Sequence, residues 1–215
     1  MNKKISLLLL AAGKSSRMGV PKGLLPYGDK YWIEEQIDRF IGIGDNILIG
    51  LGADYQLYFD ALPWLQLAAE NTMIRNGIGI RILINPEPGH GPFSTLLLLL
   101  SHCENAHKMF VQPIDVPLAD HNSLKKLLQP DKALVLPRYK NKNGHPALIS
   151  AKFSMLLLDI PLNDPAARLD RQIEGLSASK KSLVDVSDYQ IGLNINQPED
   201  WHNYLETRNL KPKVL

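Results

Sequence analysis

The sequence predicts an α/β protein, a three-layer Rossmann-like arrangement with a mostly parallel sheet between two layers of helices. Three observations predict it. Apolar runs of strand length alternate with segments of helical period from end to end. The first run stops at the small residues Ala11-Ala12-Gly13, and ligands bind beyond the carboxyl ends of strands in such sheets. The 215 residues carry no Pro/Gly/Ser-rich linker and no internal repeat, so one domain spanning 1–215 is expected.

The elements follow in order. Residues 4–10 read as a buried strand. Residues 32–41 have a helical period, with Ile33, Ile37, Phe40 and Ile41 on one face. Residues 46–50 and 80–84 are short apolar strands, and 54–79 reads as helix and loop with an exposed Arg75-Asn76-Gly77 turn. Ser94 opens a helix to Leu100 and can cap it. A strand at 108–111 ends at Gln112-Pro113, and a helix at 123–128 precedes a strand at 133–136. After a polar turn at 140–144, residues 147–149 form a strand, and the 139–150 segment is expected as a β-insertion over the pocket. Helices at 152–158 and 165–175 lead to strands at 182–186 and 191–195, and Pro198 begins a last amphipathic helix.

Composition narrows the partners. The net charge of +2 gives no basic surface for nucleic acid and no attraction to a membrane. The apolar run after Lys3-Lys4 is short and ends in a basic loop, unlike a secretory signal. The pentaleucine at 96–100 is far too short to span a bilayer. The single Cys103 fits a reducing compartment, so a cytoplasmic protein is expected. The six histidines have no zinc-ligand spacing.

The chemistry concentrates in a few segments. After the first strand come small residues, hydroxyls, the cations Lys14 and Arg17, and then Lys22. Small residues let backbone N–H groups approach a ligand, and hydroxyls and cations suit phosphate oxygens. Gly13-Lys14-Ser15 is not a P-loop, because Leu8 stands where that motif needs glycine. Nor does a G-x-G-x-x-G follow the strand, which argues against a dinucleotide-dependent dehydrogenase. Asp115 lies just past a strand between Pro113 and Pro117, placed either to bind Mg2+ or to cap a helix. Strand alternation through 191–195 would put Asn194 and Asn196 on one side. Glu199 and Asp200, next to Pro198, belong to a helix start.

These segments resemble the MobA-like NTP transferase family, of the nucleotide-diphospho-sugar transferase fold, and within it the molybdenum cofactor cytidylyltransferases and guanylyltransferases. The family loop is roughly L-A-[AG]-G-x-S-x-R-M-G-x-x-K, matched by Leu10, Ala11, Ala12, Gly13, Ser15, Arg17, Met18, Gly19 and Lys22. The P-x-D-x-P-L pattern maps its metal-binding aspartate onto Asp115. A [DN]-x-[DN]-T-P-E-[DE] pattern maps the second ligand onto Asn194, with Asn196 nearby and Gln197 replacing threonine. The base and ribose loop, N-P-x-x-x-x-G-x-x-S-S-L, matches at Asn85, Gly91, Ser94 and Thr95. A G-H-P-x-L motif at Gly144, His145 and Pro146 and a G-A-R-x-L-like stretch at Arg168 would face the acceptor.

The resemblance implies a Mg2+-dependent nucleotidyltransferase that moves an NMP from an NTP to a phosphorylated small molecule and releases pyrophosphate. Lys14 and Arg17 would meet the β- and γ-phosphates, Lys22 the α-phosphoryl group, and Ala11, Ala12 and Gly13 the base and phosphates. Ala12, where guanylyl members carry a second glycine, favours CTP, with molybdopterin as the acceptor. A sugar- or polyol-phosphate cytidylyltransferase of the methylerythritol phosphate type is the alternative. A catalytically silent nucleotide-binding module is another, suggested by the amides at 194 and 196. A monomer or homodimer is expected.

Overall fold

The computed structural model describes residues 4–103 and 106–210; Lys3 of the basic pair lies outside them. The chain opens with β1 (Lys4–Ala11), whose side chains alternate between two cores. Leu7, Leu9 and Ala11 enter one core and Leu8 the other, as period-two geometry requires of a strand buried on both faces. A small antiparallel pair, β2 (Pro26–Tyr27) and β3 (Lys30–Tyr31), leads into α1 (Trp32–Asp38). Then come β4 (Asn46–Leu51), α2 (Tyr55–Ala61), α3 (Pro63–Glu70), β5 (Met73–Arg75) and β6 (Ile78–Ile84). α4 (Pro92–Ser101), β7 (Ala106–Pro113), α5 (His121–Leu127), β8 (Leu134–Tyr139), β9 (Lys142–Asn143) and β10 (Ala147–Ser150) follow. The chain finishes with α6 (Ala151–Leu158), α7 (Leu169–Gly175), β11 (Lys181–Asp185) and α8 (Pro198–Thr207).

The main sheet has the order β11-β8-β10-β7-β1-β4-β6-β5, with β9 paired to β8. Parallel pairing joins β7, β1, β4 and β6, and joins β8 to β11. β10 runs antiparallel between β7 and β8, and β5 runs antiparallel at the edge. On one face α1, α2, α3, α5 and α8 bury Trp32, Phe59, Leu65, Leu124 and Trp201; on the other α4 and α6 bury Leu96, Leu99 and Phe153. The architecture is α/β, with a mixed, mostly parallel sheet between helical layers.

Four local expectations are corrected. The 54–79 stretch contains the three-residue strand β5, turned back onto β6 through Asn76 and Gly77, both at positive φ. The 139–150 segment is part of the main sheet as well as a cavity wall, which its His145 lines. After a Lys140-Asn141 turn it re-enters the sheet as β10, where Ala147, Leu148 and Ile149 are buried. Residues 191–195 are not a strand. Asp188 caps a 3-10 turn at Tyr189–Gly192, and the chain then crosses the strand ends without joining the sheet. The helix expected from 165 starts at Leu169, because the Asp164 side chain and carbonyl hold Ala166 and Ala167 in a turn.

Candidate nucleotide site

Three chain crossings at the carboxyl ends of β1 and β7 build the site. The loop after β1 turns at Ser15, held at positive φ, and Met18 N–H donates to the Ser15 carbonyl at 2.8 Å. The Ser15 hydroxyl accepts from the Lys22 backbone N–H at 3.1 Å, so the loop closes on itself before the 3-10 turn at Lys22–Leu24. Gly23 N–H donates to the buried Tyr58 hydroxyl at 3.2 Å, and burial pushes that phenol's pKa up. The backbone of Lys22 is thereby anchored on both sides.

The turn after β7 carries Asp115. Ile114 N–H donates to the Leu10 carbonyl at 3.0 Å, continuing the sheet by one bond. The Ile114 carbonyl accepts from Trp32 Nε1 at 2.7 Å. Gln112, fully buried, donates from Nε2 to the carbonyls of Pro113 and Val116 and so shapes the turn from inside. The third crossing is the 193–197 strap. Ile195 N–H donates to the Asp115 carbonyl at 2.8 Å. Asp200, in the first turn of α8, accepts from the backbone N–H groups of Asn196 at 2.9 Å and Gln197 at 3.0 Å. This reciprocal cap fixes the strap to the helix.

The three crossings meet at Lys22. Its ammonium lies 3.0 Å from Asp115 Oδ2 and 2.8 Å from Asn196 Oδ1. The pair sits low in a cavity of about 500 Å³ whose lining includes Ala12, Gly13, Lys14, Ser15, Arg17 and Thr95. Lys14 and Arg17 are exposed at the rim and form no ion pair among the described residues. The cavity therefore places two uncommitted cations above a Lys–Asp–Asn cluster, an arrangement suited to polyphosphate.

Not every expected residue reaches this cavity. Leu10 and Gly91 line it, while Ala11 is buried at the end of β1. Asn85 and Ser94 are buried and bonded to each other at 2.8 Å, and Asn85 also donates to Thr95 at 2.9 Å. Ser94 does not cap α4: Gly91 is the N-cap, and the Ser94 hydroxyl donates to the carbonyls of Glu87 and Gly91. Asn85 and Ser94 thus shape the loop over the cavity. Asn194 lines a separate recess with Tyr189, Asn203 and Thr207, whereas Asn196 lies beside Lys22.

A second cavity of about 620 Å³ adjoins the first and shares Leu10, Gly91, Pro92 and Pro113 with it. His145 and Arg168 line it. Arg168 is held by both carboxylate oxygens of Asp170, at 3.0 and 2.7 Å. His145 has a buried Nδ1 that meets no partner among the described residues. Burial lowers the pKa of His145, partly offset by the nearby Asp115 charge. Next to His145, Gly144 N–H donates to the Pro137 carbonyl at 3.0 Å and a Cβ there would strike the Ile191 backbone, while Pro146 is buried.

Sequence reasoning missed Trp32 and Gln112 as supports of the Asp115 turn. Gln112 had a readable signal, a polar residue inside an apolar strand. Trp32 had none, since its partner is 82 residues away.

Among the described residues no three His, Cys, Asp or Glu side chains gather into a metal cluster. Asp115 and Asn196 nevertheless offer two hard oxygens that converge on one cation, the Lys22 ammonium, as they would on a hard divalent metal sharing its shell with phosphate.

A family model described as the MobA-like NTP transferase domain matches residues 7–177. The chain is 27% identical over 208 residues to the molybdenum cofactor guanylyltransferase of Yersinia pseudotuberculosis serotype O:1b, covering 93% of this chain and 94% of that one. A Mycobacterium tuberculosis crystal structure superposes with a TM-score of 0.73 at 22% identity, covering 96% of this chain and 99% of that one. The manganese complex of that protein superposes with a TM-score of 0.70 at 21% identity, covering 96% of this chain and 100% of the other. No helix among the described residues is long and apolar enough to cross a membrane.

Proposed function

The chain belongs to the MobA-like NTP transferase family, whose members are nucleotidyltransferases, and from that premise we propose that it transfers an NMP from an NTP to the phosphate of a molybdopterin-type acceptor. The observation that carries this reading is the 3.0 Å contact of Lys22 with Asp115 beneath the free cations Lys14 and Arg17.

An acceptor phosphate oxygen attacks the α-phosphorus in line. The bond from that phosphorus to the β-phosphate bridge oxygen breaks, and pyrophosphate leaves. The attacking phosphate is already anionic near neutral pH, so no general base is needed. Positioning and charge neutralisation then carry the rate. Lys14 and Arg17 hold the β- and γ-phosphates, which become the leaving group. Lys22 stabilises charge on the α-phosphoryl oxygens. Asp115 and Asn196 would hold a divalent metal, Mg2+ in this reading, which would supply positive charge to the phosphates. Loop amides around Ala12 and Gly13, with Thr95, face the nucleoside, and the His145–Arg168 cavity receives the acceptor.

The guanylyltransferase name of the Yersinia relative favours GTP as donor. Ala12, on the cavity wall where guanylyl members carry glycine, is the specific ground for the alternative, CTP. A thermal-shift panel of GTP, CTP, ATP and UTP with Mg2+ separates the two, because a ligand bound only by the native state raises Tm. Pyrophosphate release with the stabilising nucleotide and molybdopterin tests the reaction. Tight nucleotide binding without release would overturn it and leave the silent binding module.

A further inference from the structure

Resting on the metal role just assigned to Asp115 and Asn196, we infer that Lys22 fills the metal position in the nucleotide-free protein and yields it to a metal that arrives with the triphosphate. The ammonium of Lys22 lies between the two oxygens that would ligate the metal, 3.0 Å from Asp115 Oδ2 and 2.8 Å from Asn196 Oδ1. A metal on the same two oxygens would lie within a few ångströms of the ammonium, where the two positive charges repel.

Bare metal meets an unfavourable exchange. It must expel the ammonium from a pocket where the Lys22 side chain is only 13% exposed, and it finds a single carboxylate and one amide oxygen in return. A metal that already carries the triphosphate brings its own oxygens and offers the displaced ammonium a new anionic partner at the α-phosphate. The local architecture permits that swing. The backbone of Lys22 is pinned by the Ser15 hydroxyl and by the neighbouring Gly23–Tyr58 hydrogen bond, while its four-carbon stem stays rotatable. The oxygens follow the ammonium less far, since the backbones of Asp115 and Asn196 are tied to Ile195 and Asp200 and their side chains are short. One residue thus acts first as a resident counter-ion and then as the clamp on the reacting phosphate.

The test is a Mn2+ titration of the full chain, followed by the loss of the free-ion signal in electron paramagnetic resonance. It compares wild type with Lys22→Met and Lys22→Gln, each first checked for a native-like Tm. Without nucleotide, the wild type should bind Mn2+ weakly, and both variants roughly tenfold more tightly or better. With a non-hydrolysable NTP analogue, the wild type should lower the free Mn2+ signal further than the analogue does alone, and no further loss would overturn the inference. Equal Mn2+ affinity of wild type and both variants without nucleotide overturns the inference. Asp115→Asn separates the two levels: if it leaves Mn2+–nucleotide binding intact, the metal role itself fails, and the exchange with it.

Discussion

Trp32 donates its indole N–H to the Ile114 carbonyl at 2.7 Å, linking the first helix to the turn that presents Asp115. Trp32 is fully buried against Tyr27, Trp201 and Tyr204, so this hydrogen bond is made inside an aromatic cluster and away from water. Trp32→Phe keeps most of the ring packing but strands the carbonyl. It should cost about 1–3 kcal/mol, the range for an unsatisfied buried group. Turnover should fall with it, because the Asp115 turn loses a fixed point. Denaturant unfolding and pyrophosphate release measure the two effects.

Lys22→Ala and Asp115→Ala should each lower turnover by about a hundredfold or more, as removal of a charge-stabilising group does. Both side chains line an open cavity, so the fold should survive. Circular dichroism checks the fold, and single-turnover kinetics check the chemistry. Near-normal turnover in either variant would remove that residue from the reaction.

Asp200→Ala removes the acceptor for the Asn196 and Gln197 backbone N–H groups. The stability loss should be about 1 kcal/mol, the usual cost of a lost helix cap. A purely structural role predicts only that loss. Since the strap also positions Asn196 beside Lys22, the concentration of metal–NTP needed for half-maximal rate should rise as well.

How much was readable beforehand follows from what each feature depends on. The first strand and its basic loop are contiguous in sequence, so Leu10 through Lys22 announced the cavity. The position of Asn196 beside Lys22 was hidden. It depends on the 3-10 turn at Tyr189–Gly192, which breaks the alternation assumed for 191–195, and on a cap formed by Asp200. Ser94 misled for a related reason: α4 starts at Pro92, which freed the hydroxyl to brace the loop from Glu87 to Gly91. β10 was readable as a strand but not as an interior one. A three-residue apolar run has the same pattern whether it crosses the sheet or lies over it.

Gly52→Ala should disturb nucleotide binding from outside the cavity. A Cβ at Gly52 would run into the carbonyl oxygen of Ala12, so the loop after β1 must shift. Overpacking of this kind costs about 1–3 kcal/mol. The KM for the NTP should rise more than kcat falls, which steady-state kinetics with a Tm control would resolve.

His145 gives a pH dependence of known sign. Burial holds its folded pKa below the unfolded value of 6.5, with the Asp115 charge acting the other way. Below pH 6.5 the unfolded chain therefore takes up the proton more readily than the native one, and stability falls with pH down to the folded pKa. Above 6.5 the imidazole is neutral in both states and nothing is lost. His145→Gln removes this titration. The drop in Tm between about pH 7.5 and about pH 5.5 should be smaller in the variant than in wild type.

The partition between the two cavities is made of Leu10, Gly91, Pro92 and Pro113, residues at the tips of strands and at a helix start. Its Leu10 and Pro113 half cannot retreat without dislodging the sheet itself. The two chambers can consequently be re-tailored one at a time, by changes on their outer walls, while the gap between them keeps its width.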